Sequence, residues 1–110
     1  MKKTTVTAIT ALLLIGPSAL AATAPDNWTH HCASCHGADG AGKTKMGKKS
    51  GAKDLTSAEY QKSFTDDQLF AHLKSGEKDA DGNVKMKAYA DSMADDELKA
   101  LVGFVRSLSK

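Results

Sequence analysis

Aromatic residues are scarce in this chain of 110 residues, which contains one Trp, two Tyr and three Phe. A domain of this size buries only about 60% of its unfolded surface and often needs a disulfide or a bound group for stability. Only two cysteines are available. They are three positions apart, so a disulfide between them would restrain little of the unfolded chain. The composition therefore indicates that something other than side chains fills part of the core.

Long apolar runs are also missing. Two lysines precede an uncharged apolar run at about residues 6–15, and the sequence Ala-Leu-Ala at 19–21 provides the small residues of a signal-peptidase site. We expect residues 1–21 to be a secretory signal peptide and residues 22–110 to be the mature domain. The alternative is an uncleaved membrane anchor, although the run is shorter than the roughly 20 residues that span a bilayer.

The expected mature domain lacks a surplus of either charge. Lys2 and Lys3 account for two of the 15 basic residues, which leaves 13 against 13 acidic residues. A formal charge near zero argues against a nucleic-acid-binding domain, because such domains are usually clearly basic. We expect no nucleic-acid partner, no stable membrane insertion after signal cleavage, export to the periplasm and a monomeric protein.

Helix signals occur along most of the mature chain, and no stretch alternates convincingly as a strand. Expected helices run from Pro25 to Gly37, from capping boxes at 56–59 and 65–68, and from about Asp95 to Leu108. Residues 40–53 and 77–85 are polar or glycine-rich and are expected to be irregular. The expected fold class is all-α, with three to four helices and substantial loops.

The first expected helix carries Cys32, Cys35 and His36. Positions i, i+3 and i+4 lie near one helix face, so all three side chains can reach the same flat ligand. Cys-x-x-Cys-His is the attachment signature of c-type haem, in which the sulfurs bond to the porphyrin edge and the histidine ligates iron. The sequence therefore predicts one covalently bound haem c.

Three other interpretations of the two cysteines are open at this stage. A disulfide is possible in an oxidising compartment. A thioredoxin-like redox site normally lies beside a strand–helix unit, and no strand is expected before Cys32. A zinc site would need a fourth ligand from His30, His31 or His72.

Three segments together resemble a bacterial class I monohaem cytochrome c: residues 32–37, the Met-x-Ala-aromatic segment at 86–89, and the Leu-rich last helix. The resemblance implies a helical cytochrome c fold wrapped around one haem. In that fold the first and last helices cross, so Trp28 is expected to pack near Leu101, Phe104 and Val105. The resemblance also implies a soluble electron carrier, not an enzyme, that docks transiently with donor and acceptor redox proteins.

Met86 is the expected second axial ligand to iron. It lies 50 residues after His36 in an expected irregular stretch, and it matches the ligand position of the family that the chain resembles. Met46, Met93 and His72 are the alternatives. The family usually has proline after this methionine, whereas this chain has Lys87. A haem with a labile sixth ligand, acting as a small-molecule sensor or peroxidase, is therefore the second function to consider.

Lysines are concentrated near the segments expected to contact haem. Five lie between residues 43 and 53, and Lys85 and Lys87 flank Met86. Such runs are usually solvated surface. Around an exposed haem edge, they would also attract acidic redox partners and make association sensitive to salt.

Overall fold

The computed structural model describes residues 2–5, 7–8, 10 and 22–110. Most of the expected signal peptide, including the expected cleavage site after Ala21, lies outside the described residues. Among the residues that the model does describe, no helix is both long enough and apolar enough to cross a membrane.

The domain from residue 22 onward consists of short helices and one small sheet. In chain order the elements are α1 (Ala24–Asn27), a π-helical turn (Trp28–Cys32), α2 (Ala33–His36), α3 (Lys45–Ser50), α4 (Ala58–Gln61), α5 (Asp66–Ser75), β1 (Glu77–Lys78), β2 (Val84–Met86) and α6 (Asp95–Ser107). With α1, the π-helical turn and α2 counted as one continuous run, residues 22–110 contain five helical regions. This exceeds the expected three to four because α3 was not foreseen.

The first helical run begins and ends where the sequence predicts. The Thr23 hydroxyl accepts a hydrogen bond from the Asp26 amide, and Gly37 ends the run with a φ of 82°. A π-helical turn interrupts the run at Trp28–Cys32, and such turns often occur at functional sites. The run is therefore not the regular α-helix expected from the sequence, because its backbone is wider between Trp28 and Cys32.

The first helical run packs against α6, as the resemblance implies. The rings of Trp28 and Phe104 lie 5.2 Å apart, and Trp28 is only 3% exposed. The buried Asn27 side chain donates a hydrogen bond of 3.0 Å to the Glu97 carboxylate. An apolar contact and a polar contact therefore hold the first helical run against α6.

Helix α6 has the apolar face predicted from its spacing, and Leu98, Leu101, Val102 and Val105 are buried. Its N-cap residue is Ala94, which offers no side-chain oxygen, and the Glu97 carboxylate accepts from the Ala94 amide instead. Met93 and Leu98 are both buried in the core cluster at the N′ and N4 positions of a hydrophobic staple.

The capping box of α5 is confirmed, since Thr65 and Gln68 exchange side-chain-to-backbone hydrogen bonds of 2.9 and 3.1 Å. The box expected at 56–59 is shifted by one residue. Ser57 caps the Tyr60 amide, whereas the Thr56 side chain bonds to Asp54. Both residues can act as N-caps, and the Asp54 contact takes Thr56 away from that role.

The all-α prediction is wrong in one respect, because β1 and β2 form an antiparallel hairpin between α5 and α6. Its turn is built by the Asp79 carboxylate, which accepts from the Asp81 and Asn83 amides at 2.9 Å each. The strands are two and three residues long and largely exposed. Strands this short and solvated leave no alternation of apolar residues for sequence analysis to detect.

The segment 40–53 is also more regular than expected, because it contains α3. Thr44 caps the helix by accepting from the Gly47 amide at 2.9 Å, and Gly51 ends it in the left-handed conformation. The Thr44 hydroxyl in turn donates to the Cys35 carbonyl at 2.6 Å. A methyl group on Gly47 would overlap that same carbonyl. Helix α3 therefore packs directly on the backbone of α2.

Replacing Gly47 with alanine should lower the free energy of unfolding of the holoprotein by about 1–3 kcal/mol, the usual cost of overpacking. The matched control is Gly103→Ala in the exposed part of α6, where an added methyl group meets no atom within 4 Å. That substitution should raise stability by about 0.5–1 kcal/mol through helix propensity. Denaturant unfolding followed by circular dichroism measures both, and equal effects would contradict the close packing of α3 on α2.

Candidate cofactor site

A cavity of about 700 Å³ lies at the centre of the domain. Its size falls within the roughly 300–1,000 Å³ of cofactor and ligand sites in proteins. Much of the buried core also lines it, including Trp28, Leu55, Leu73, Leu101 and Val105. The buried side chains therefore leave an unfilled space in the core. This agrees with the prediction, made from the scarcity of aromatic residues, that something other than side chains fills part of it.

Both cysteines lie on one wall of this cavity, Cys32 at the end of the π-helical turn and Cys35 on α2. They are free thiols in the structure. Burial, with a smaller contribution from the charge of Cys35, raises the pKa of Cys32 to about 11. Reactive redox cysteines have lowered pKa values, so this environment does not suit a thioredoxin-like site.

His36 lies on the same wall, immediately before Gly37. Its Nδ1 is 3.4 Å from the carbonyl oxygen of Lys53. A carbonyl can only accept, so Nδ1 carries the proton and Nε2 keeps its lone pair free to bind a metal. Burial lowers the pKa of His36, the hydrogen bond to the Lys53 carbonyl opposes part of this shift, and the nearby His72 lowers the pKa further. The net shift favours the neutral imidazole, which is the form that can ligate a metal.

Met86 lines the cavity from a separate segment, at the end of β2. It pairs with Glu77 in the hairpin, and its carbonyl oxygen lies 2.5 Å from where a side chain on Gly76 would begin. The two other methionines of residues 22–110 do not line the cavity. Met46 is 57% exposed on α3, and Met93 is buried in the core. Among the alternatives to Met86, His72 alone lines the cavity.

The residues that meet at the cavity fit a covalently attached haem. Two unpaired thiols, a neutral imidazole and a thioether line one space of suitable size, and aliphatic side chains make up much of the remaining wall. By contrast, residues 22–110 contain no group of three or more His, Cys, Asp or Glu side chains arranged to hold a metal ion. The zinc interpretation therefore finds no ligand set in this part of the chain.

Two contacts near the site were not foreseen from the sequence. The Lys53 carbonyl orients His36, and Tyr89 lines the cavity while its hydroxyl donates to the His31 carbonyl at 3.0 Å. Both contacts join segments that are distant in the chain and use backbone carbonyls. Side-chain type gives no signal for contacts of this kind.

The chain is similar to known cytochromes in sequence and structure. The family model for cytochrome c oxidase, cbb3-type, subunit III matches residues 19–105. Among solved structures, KustC0563 c-type cytochrome is 28% identical, with a TM-score of 0.69, and the match covers 81% of this chain and 100% of that one. A mutant of the same cytochrome is 27% identical, with a TM-score of 0.67 and coverage of 80% and 100%. No curated protein matches the chain significantly.

The family match spans most of the chain and includes the cysteines, the histidine and the methionine of the cavity. The solved structures agree with it, since they are c-type cytochromes of the same fold that match over their full length. The chain therefore belongs to the cytochrome c family described as cbb3-type cytochrome c oxidase subunit III, and it is a small c-type cytochrome.

Proposed function

We propose that this cytochrome is a periplasmic one-electron carrier with a single haem c. Cys32 and Cys35 hold the porphyrin, and His36 and Met86 ligate the iron. The observation that carries the proposal is that one cavity brings these four residues together from two segments of the chain. The family match supports haem-based electron transfer as the general activity.

The cavity residues suit an electron carrier because they hold the ligands and the surroundings of the iron in one arrangement. Haem bound here supplies a site that exchanges one electron. The Lys53 carbonyl fixes the His36 ring, and buried side chains such as Leu73 and Leu101 keep the surroundings apolar. A thioether from Met86 favours ferrous iron and raises the reduction potential. The chain's own contribution is to bind the haem, to orient its ligands and to exclude water from the cavity.

Lysines at the cavity rim support docking with acidic redox proteins. Lys53, Lys85 and Lys87 line the cavity and are exposed. Glu77 also lines the cavity, and its carboxylate lies 3.7 Å from the His72 ring. We expect positive potential at the rim to raise association rates with anionic partners and to make them fall with ionic strength. We propose that the cytochrome acts as a monomer, after export directed by residues 1–21.

Rapid mixing with small oxidants tests the carrier function. The reduced protein should transfer one electron per chain to ferricyanide, an anion, and should do so faster than to a cationic cobalt complex of similar driving force. Added salt should reduce the difference between the two reaction rates, because it screens the charges at the rim. Slow or absent electron exchange, together with fast carbon monoxide binding and peroxide turnover, would contradict the proposal and favour the labile-ligand alternative.

The rim is tested by removing two of its charges. We expect Lys85→Gln/Lys87→Gln to slow the ferricyanide reaction by about two- to tenfold at low ionic strength, with little effect on the cobalt complex. The matched control is Lys62→Gln/Lys99→Gln, which removes the same charge from residues that do not line the cavity. Equal slowing in both variants would mean that overall charge, and not the rim, steers association.

A further inference from the structure

Hydrogen bonds hold the segment that carries Met86 on both sides of the methionine. On one side Met86 ends strand β2, which pairs with β1. On the other side the Tyr89 amide donates to the Leu73 carbonyl at 3.0 Å, and the Tyr89 carbonyl accepts from the Met93 amide at 3.0 Å. The backbone on both sides of the methionine is therefore bonded to neighbouring segments.

The Tyr89 side chain adds a contact of a different kind, because it joins this segment to the helical run that carries the haem-binding cysteines. Its hydroxyl donates to the carbonyl of His31, 58 residues away in the chain and one position before Cys32. The Tyr89 and His31 rings pack edge to face with centroids 5.5 Å apart, and Tyr89 is only 7% exposed. This hydrogen bond therefore links the segment that carries Met86 to the helical run that carries Cys32 and Cys35.

The backbone of the same segment also packs closely against Gly76. A side chain at Gly76 would begin 2.5 Å from the Met86 carbonyl and 2.7 Å from the Ala88 amide nitrogen. The backbone of residues 86–88 therefore lies directly on α5's terminal glycine, which adopts a φ of 69°. This close approach leaves the segment little room to move toward α5.

We propose that Tyr89 is a positioning residue that keeps Met86 on the iron, through the hydrogen bond from its hydroxyl to the His31 carbonyl. The inference rests on the proposed His36/Met86 ligation. The Tyr89–His31 bond opposes movement of residues 86–89 away from the cavity, and such movement would carry the Met86 side chain off the iron. Tyr89 therefore restrains this segment through a long-range contact. Burial, with smaller contributions from Cys32 and Cys35, raises the pKa of Tyr89, so its hydroxyl keeps the proton that it donates.

The rate at which Met86 leaves the iron can be measured in the ferric holoprotein with imidazole as the incoming ligand. At saturating imidazole the observed rate reaches a plateau, which equals the rate of methionine release. We expect Tyr89→Phe, which removes only the hydroxyl, to raise this plateau about fivefold, as the loss of one hydrogen bond allows. Gly76→Ala, which presses on the Met86 backbone, should raise it as well.

Ser63→Ala is the matched control, because it also removes a hydroxyl that donates to a backbone carbonyl, here that of Tyr60 at 2.6 Å. Ser63 is exposed and does not line the cavity. Its plateau should equal that of the wild type. If Tyr89→Phe changes the plateau no more than Ser63→Ala does, or lowers only the unfolding midpoint, Tyr89 is a packing residue and the proposal is overturned. If Met86→Ala shows the same plateau as the wild type, Met86 is not the ligand that imidazole displaces, and the proposed function itself loses its sixth ligand.

Discussion

Replacing Met86 with alanine is expected to lower the reduction potential of the cytochrome by on the order of 0.2 V, a fraction of the roughly 0.8 V over which axial ligands set haem potentials. The thioether is a soft donor that stabilises ferrous iron, and alanine offers no donor in its place. The vacated position should also bind carbon monoxide rapidly in the ferrous protein. Potentiometric titration and carbon monoxide mixing measure the two effects.

Met46→Ala is the matched control for this experiment, because it makes the same chemical change at an exposed residue that does not line the cavity. Its potential and carbon monoxide binding should equal those of the wild type. His72 is the other candidate ligand on the cavity wall, so His72→Ala belongs in the same series. An unchanged potential in Met86→Ala together with a large shift in His72→Ala would contradict ligation by Met86.

The second large effect is expected when both cysteines are replaced by alanine. Cys32→Ala/Cys35→Ala should yield a colourless protein with little helical circular dichroism at 25 °C. Without haem, the cavity of about 700 Å³ remains open beside buried residues such as Leu73 and Leu101, which then lose their packing partner. Apolar walls that stay in contact with water do not contribute the burial that offsets chain entropy, and a domain has only about 5–15 kcal/mol of net stability to lose.

Ser34→Ala is the control for this pair, since Ser34 lies between the two cysteines and its side chain makes no hydrogen bond to another residue of the described chain. It should bind haem and fold as the wild type does. A double cysteine variant that keeps native helical content would show that the domain folds without a bound group. In that case the open core seen in the structure would need a different explanation.

Local signals in the sequence predict much of this fold. Capping side chains and a terminating glycine give the bounds of α5, and the apolar spacing from Leu98 to Val105 gives the face of α6. Each signal lies within a few residues of the element that it specifies. The same holds for Cys32, Cys35 and His36, because a short helical run is enough to bring them to one wall.

Two elements that the sequence did not reveal lack a pattern of apolar residues. The β1–β2 hairpin has short, exposed strands around a local Asp79 turn. Helix α3 depends on a contact with another element, the hydrogen bond from Thr44 to the Cys35 carbonyl. The proposed sixth ligand is an intermediate case. Met86 could be proposed from its position in the sequence, but only the folded chain places it on the cavity wall while Met46 and Met93 lie elsewhere.

The most direct test of the central claim is the mass of the purified, exported protein, measured together with its visible absorption spectrum. The account predicts a chain of residues 22–110 carrying the mass of one haem, which stays attached after denaturation and gives the spectrum of a c-type cytochrome. A protein with the mass of the polypeptide alone and no visible absorption would contradict it.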